Sequence, residues 1–465
     1  LPAQALDTRL PDLGNSAGSL MTPEAERELG RAFMRSVRRE QAVLDDPLVN
    51  DYIQQLGQRL VDASEAAGSR FHFFVIDNPE INAFAGPGGY IGVYTGLIAT
   101  TRSESELAAV LAHEIAHVTQ KHLLRAWEAA SNLTIPNAAV LLAAIAIGAV
   151  AGSDAGLAAA TAGQAAIIQE QINFTRANEQ EADRIGIDIL ARAGFDANAM
   201  PAFFSRMGKA NRVYATKLPE FLLTHPVTTS RIADALGRAG DYPYRQPRDG
   251  FRYRLLKARL TLRGETDPLD RARTLARQLA DGRYSDRLAT EYQRALALAA
   301  AGRTAEADRI LGRLLKQRPD TLDLVVEKAR SEARLGHPER ALERLRAALR
   351  QHPASQALNL VFAEIAVGMG RHREAMQQLK RYLEYAPDDA LATGLLARAA
   401  GEAGEALDAH RYQAEYHYLD GNLEEAILQL EIALRFPDIG FYDASRIESR
   451  LAELRRELKE RKTRE

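Results

Sequence analysis

Cysteine is absent from the 465 residues. There is therefore no disulfide framework and no thiolate nucleophile, and cysteine-ligated zinc is excluded, although the compartment stays open. Net charge is nearly absent too: 60 Lys+Arg against 62 Asp+Glu leave −2 at pH 7. That excludes a basic nucleic-acid platform. Histidine is scarce, at ten residues, so each placement asks for a reason.

Charge is also missing from one long stretch. Between residues 129 and 169 Asp154 is the single charged residue. The uncharged run 133–153 is long enough to span a bilayer. It is rich in Ala and Gly, contains Pro136 and Asn137, and lacks a basic cluster and Trp or Tyr at its edges. A membrane span usually carries such anchors. The run reads first as a buried or lid-like helical hairpin, second as a peripheral membrane contact, and last as a span.

What is present fits a globular protein of two or three domains: 46% hydrophobic and 26% charged residues. Residues 1–250 hold 22 Lys+Arg and 28 Asp+Glu, whereas 251–465 hold 38 and 34. This rise in charge density, with the turn-rich "DYPYRQPRDG" (241–250), sets the expected boundary at 250. The opening "LPAQALD" resembles the small-residue end of a signal peptide, so 1–22 is expected to be an N-terminal segment of an exported chain.

Residues 23–66 show helical periodicity. "FHFFVIDN" (71–78), "INAFA" (81–85) and "YIGVYTGLI" (90–98) read as strands, the last two joined by "GPGG" (86–89). The expected fold of 23–250 is mainly α with a small antiparallel sheet, an α+β arrangement. "SESE" (103–106) then has the form of a capping box before an apolar run.

The second half repeats. Gly302, Gly336, Gly370 and Gly404 recur every 34 residues, each followed five residues later by Ala307, Ala341, Ala375 and Ala409. Pro319, Pro353 and Pro387 keep the same step. Gly421 and Ala426 arrive half a period late, as though one helix served two pairings. A 34-residue helix–turn–helix period resembles tetratricopeptide repeats. An α-solenoid over 251–465 is expected, with a degraded first unit near 253–284 and a concave face for a peptide or partner protein.

The apolar run after the capping box contains "HEIAH". Residues four apart on a helix lie about 40° around the axis, so His113 and His117 can face one metal ion. Glu114, about 100° from His113, stands beside them. Zinc makes water acidic near neutrality, and a carboxylate placed there can take its proton. H-E-x-x-H provides this in metalloproteases. Two histidines are too few, because a catalytic zinc takes three protein ligands. Gln120 and Leu123 stand where metzincins need Gly and His. His122 lies about 180° from His113 on the helical wheel and is set aside as a co-ligand. The acidic helix "RANEQEADRIGIDIL" (176–190) places Glu179 and Asp183 on one face, with Glu181 turned away. Glu179 is assigned as third ligand, and Asp183 as the acceptor that orients a zinc histidine.

H-E-I-A-H, a long apolar insertion and N-E-x-E-A-D together resemble the M48 gluzincin metallopeptidases. With its tetratricopeptide tail, the chain resembles a periplasmic branch of that family. The resemblance implies a zinc endopeptidase with one Zn2+ per chain, bound by His113, His117 and Glu179, with Glu114 as general base. It also implies periplasmic localisation and a role on misassembled outer-membrane proteins, with chaperone-like activity. The repeats would dock on the outer-membrane assembly machinery.

His225, pinned by Pro226 in "LTHPVTTSR", could stabilise an oxyanion or close the open zinc position. In the resembling branch the matching histidine acts as such a latch, and the residue matching Arg231 lines the active site. The strand "INAFA" could pair with an extended peptide, which makes Asn82 and Phe84 candidates for a substrate groove. His72 reads as the polar face of a strand. The alternative to a protease is a chaperone or adaptor that works through its repeats, with a latent or structural zinc site.

Overall fold

The computed structural model describes residues 21–123, 142, 176–213 and 220–462. The proposed lid-like hairpin (129–169, apart from Leu142) and the signal-peptide remnant lie outside the described residues. No helix among those described is long and apolar enough to cross a membrane.

Thr22 starts α1 (Pro23–Glu40) by accepting a hydrogen bond from the Ala25 N–H, with Pro23 at a position that needs no donor. Asp46 does the same for α2 (Pro47–Asp62), accepting from Leu48 and Val49. Strands β1 (His72–Ile76), β2 (Ala83–Ala85) and β3 (Tyr90–Tyr94) follow, in spatial order β1-β3-β2. The sheet is mixed. Only β2 and β3 are antiparallel; β1 runs parallel to β3, with His72 opposite Tyr90 and Ile76 opposite Tyr94. This corrects the wholly antiparallel expectation: residues 77–82 carry the chain past the central place, and the tight turn returns β3 into it. The turn works because Gly88 and Gly89 take φ of 68° and 79°, a region hostile to other side chains. The third strand also ends early, because residues 95–100 form helix α3 (Thr95–Thr100).

Ser103 caps α4 (Glu104–Thr119), accepting from the Glu106 N–H. The Glu106 carboxylate reaches back to the Arg102 N–H, at 2.6 Å, one residue beyond the usual capping-box partner. Every residue of α4 from Ser105 to His117 is buried, so this is the central core helix. Against it pack α2, the sheet, α5 (Arg176–Arg192) and α6 (Ala199–Val213); α7 (Glu220–Thr224) follows, and α8 (Thr229–Ala239) packs on α5 and α6. Gly186 lets α5 approach α4: a Cβ there would sit 3.1 Å from the His113 nitrogen. That close approach brings the acidic face of α5 to the histidines of α4.

In the repeat half α9 (Phe251–Leu260) and α10 (Pro268–Ala280) each pack on α11 (Arg287–Ala300), which pairs with α12 (Thr304–Gln317), and α13 (Leu322–Arg334) pairs with α14 (Pro338–Leu349). Then come α15 (Gln356–Gly368) with α16 (His372–Tyr385), α17 (Ala390–Glu402) with α18 (Ala406–Leu419), and α19 (Leu423–Ala433) with α20 (Phe441–Lys462). Gly302, Gly336, Gly370 and Gly404 sit in the turns of the four pairs from α11–α12 to α17–α18, with φ from 74° to 83°, and Ala307, Ala341 and Ala375 are fully buried at the crossings. The half-period glycine has its expected consequence, since α18 packs on both α17 and α19.

The two halves are firmly joined. Tyr253 and Leu256 of α9 belong to the core around α4, while Leu255 belongs to the repeat core. Asp51 of α2 accepts from the Gln356 N–H at the start of α15, at 2.8 Å. Arg259 of α9 bridges Asp46 at 2.5 Å and Glu327 at 2.8 Å.

Candidate metal centre

Three separate elements deliver the chemistry. α4 supplies His113, Glu114 and His117; α5 supplies Glu179 and Asp183; the segment between α7 and α8 supplies His225. His113, His117, Glu179 and His225 each point one donor atom at a common centre, all within 4.8 Å of one another. The His113 and His117 Nε2 atoms are 3.0 Å apart, and His225 Nδ1 lies 3.3 Å from the former. Glu179 Oε1 stands 3.4 Å from His117 Nε2 and 3.1 Å from His225 Nδ1. All four side chains are buried. Three imidazole nitrogens and a carboxylate converging on one point fit a divalent metal.

The charges around the cluster are set by its own members. Burial would strip the proton from His113, but Asp183 and Glu179 hold it there, pushing its pKa up to about 10. Burial takes His117 the other way, down to about 3, against the pull of Glu179. The Glu179 carboxyl is buried too, yet His225, His113 and His117 keep it well below the carboxylate range. The cluster thus holds an ionised carboxylate and a proton that a divalent cation can displace.

Asp183 Oδ1 stands 3.0 Å behind His113 Nδ1. Arg231 is more deeply engaged than expected. It binds Asp183 through Nε and Nη2, each at 2.8 Å, and its Nη1 reaches Glu179 Oε2 at 2.6 Å and the Pro226 carbonyl at 2.9 Å. It lies over the Phe204 ring, itself edge-on to His113. These contacts aim Arg231 at the carboxylates behind the centre.

Glu114 differs from its neighbours. It is 1% exposed, and among the described residues no side chain hydrogen-bonds its carboxylate, which the Ala85 backbone adjoins. Burial raises its pKa, while His225 and His113 pull it down. His225 Nε2 lies 3.5 Å from Glu114 Oε1. His225 therefore turns one nitrogen to the centre and the other to Glu114, with its ring against Phe221.

The groove candidates fare differently. Phe84 is 3% exposed, its ring edge-on to Phe33, Phe74 and Tyr94. It is a core residue: β2 turns that face inward, so the groove expectation for its side chain is corrected. Asn82 is 0% exposed with both amide atoms unpartnered. Sequence reasoning missed Phe204 and Phe221, whose rings wall the centre; an aromatic in an apolar helix gives no distinguishing signal. His122 is outside the four-donor set, yet α4 ends at Thr119, and the turn that follows returns His122 to the His117 ring.

The sequence matches the model of peptidase family M48 over residues 47–239, and tetratricopeptide models over 289–321 and 332–399. It is 36% identical to a putative beta-barrel assembly-enhancing protease of Vibrio cholerae, covering 98% of this chain and 94% of that one. It is 37% identical to the beta-barrel assembly-enhancing protease of Escherichia coli K12, covering 99% and 93%. A mitochondrial metalloendopeptidase, OMA1 of Bos taurus, is 36% identical over 33% of this chain and 29% of its own length. With the similarity running through both the helix of the paired histidines and the repeats, the chain belongs to peptidase family M48 as a metalloendopeptidase bearing tetratricopeptide repeats.

Proposed function

We propose that this protein is a zinc endopeptidase that degrades misfolded or misassembled outer-membrane proteins in the bacterial periplasm. Its repeats hold clients or the assembly machinery and lend it chaperone activity. The observation that carries the reading is the pairing of a converged four-donor cluster with a buried carboxylate, Glu114, that no described side chain hydrogen-bonds. A buried carboxylate with so little compensation costs stability, which a fold tolerates where the group has chemistry to perform. The names of the relatives that match nearly the whole chain support the outer-membrane setting.

His113, His117 and Glu179 would hold the zinc. Zinc bound there supplies a Lewis acid that polarises the scissile carbonyl and acidifies water. Glu114 takes a proton at its carboxylate and returns it to the leaving amine; its raised pKa suits both directions. Asp183 holds the His113 ring, and Arg231 holds Asp183. His225 occupies the position that an open site would leave free, and its far nitrogen covers Glu114. This is a latch at rest. An extended client would add to the β2 edge, where the Ala85 backbone adjoins Glu114, and Asn82 would offer its unpartnered amide there. Pairing through backbone groups suits broad cleavage of unfolded chains. In this reading residues 23–250 carry the protease and 251–465 the recruiting repeats.

The same closed site favours a second reading, in which the repeats act as a chaperone or adaptor and the metal is structural. Cleavage of unfolded casein by the zinc-loaded protein, absent in Glu114→Gln, supports the protease. If Glu114→Gln keeps full cellular function while disrupted repeats abolish it, the second reading replaces the first.

A further inference from the structure

Both histidines of α4 turn Nε2 to the centre, so each presents Nδ1 to the protein behind it. For His113 that atom meets Asp183. For His117 it meets another histidine: His122 Nδ1 lies 2.8 Å from His117 Nδ1, with the rings edge-on at 4.9 Å. His122 is 2% exposed, and its own Nε2 lies 3.2 Å from Glu181 Oε2.

The backbone goes out of its way to make this contact. Among the described residues, Lys121 is the one non-glycine with positive φ, at 52°. A left-handed residue other than glycine is sterically disfavoured. Here it ends α4 and folds His122 back under the helix. Continued helix would have carried His122 to the opposite side.

The hydrogen positions follow from the geometry. When His117 Nε2 donates its lone pair to a metal, the neutral ring carries its proton on Nδ1. That N–H must donate, so His122 Nδ1 must accept. The proton of neutral His122 then sits on Nε2 and donates to the Glu181 carboxylate. Each link has one donor and one acceptor, and no other arrangement of a neutral pair lets His117 bind metal through Nε2 while both contacts are hydrogen bonds. Glu181 lies two residues from Glu179, so α5 supplies a ligand to the centre and, on its other flank, the anchor of this chain.

We propose that His122 and Glu181 are positioning residues of the metal centre: Glu181 fixes the tautomer of His122, and His122 fixes the tautomer and tilt of His117. The centre is then braced twice, through Asp183 and Arg231 behind His113 and through His122 and Glu181 behind His117. The inference rests on reading the four-donor cluster as a zinc site.

Zinc affinity of the full chain, measured by competition with a chromophoric chelator, tests it without relying on turnover. His122→Phe keeps a ring but removes the acceptor, and is expected to weaken zinc binding by about ten- to a hundredfold. His122→Asn places an amide oxygen near the lost Nδ1 and is expected to restore most of that affinity. Glu181→Gln, which keeps an acceptor, should lose less than Glu181→Ala. The metal-free Tm, taken in parallel, should be alike in the Phe and Asn variants. Parent-like affinity in His122→Phe overturns the proposal. So does equal loss in the Phe and Asn variants accompanied by equal falls in metal-free Tm, which would mark a packing role. If the parent itself takes up no zinc, the zinc reading of the cluster fails instead.

Discussion

Arg231 grips Asp183 with two nitrogens, each at 2.8 Å, and touches Glu179 with a third at 2.6 Å. One buried guanidinium thereby ties a proposed metal ligand, the partner of another ligand, and the Pro226 carbonyl beside His225 into one unit. Its flat fork suits this as an ammonium would not. The segment that carries His225 and helix α5 are thus mechanically linked.

Arg231→Met should leave Asp183 and Glu179 buried without their cation. Removing one partner of a buried ion pair costs roughly 3–5 kcal/mol. The loss should appear in urea unfolding of the metal-free protein, and zinc should restore part of it by neutralising Glu179. Arg231→Lys, unable to fork, should fall between. A metal-free Arg231→Met as stable as the parent would refute the bracing role.

His225→Ala should uncover Glu114 and free one position at the centre, leaving three donors. Casein cleavage should rise several-fold at unchanged protein concentration, with zinc retained. Lower or unchanged cleavage by a zinc-replete variant would rule out the latch. A zinc-depleted variant would show that His225 is needed as a ligand.

How much of this was legible in the sequence depends on the range of each interaction. The paired face of His113 and His117 follows from helix periodicity alone, as does that of Glu179 and Asp183. The 34-residue glycine step declares its helix pairs for the same reason. The sheet was misjudged because the direction of β1 depends on where β3 inserts, which no local pattern encodes. Phe84 alternates like a groove residue but faces an aromatic core assembled from Phe33, Phe74 and Tyr94. The helical wheel misplaced His122 because it assumes a helix that stops at Thr119.

Asp51 is a cap supplied from a distance: it serves the N-terminus of α15 from 305 residues away, bonding the Gln356 N–H and the Ser355 hydroxyl. Asp51→Ala should destabilise the protein by about 1–2 kcal/mol, the usual loss for a helix cap. Asp51→Asn keeps an acceptor and, since burial already raises the Asp51 pKa, should cost less. Urea unfolding with a single transition would show that the junction of α2 and α15 is part of the cooperative core. If Asp51→Ala unfolds like the parent, the contact contributes nothing to joining the halves.

Acid should loosen the contact between α9 and α13. Glu327 is buried, which alone would raise its pKa, but Arg259 and Arg330 hold it below its ordinary value of 4.5. The folded state therefore binds fewer protons at this site than the unfolded chain does. Its stabilising contribution is complete above about 4.5 and is lost as pH falls through the lower, folded value. Urea midpoints measured from pH 6 to pH 3 should fall more steeply in the parent than in Glu327→Gln, which cannot titrate there. The variant should be less stable at pH 6, because Arg259 loses a charged partner, and the two curves should converge in acid. Parallel curves would mean that Glu327 has the same affinity for protons folded and unfolded, and that its charge does not hold Arg259.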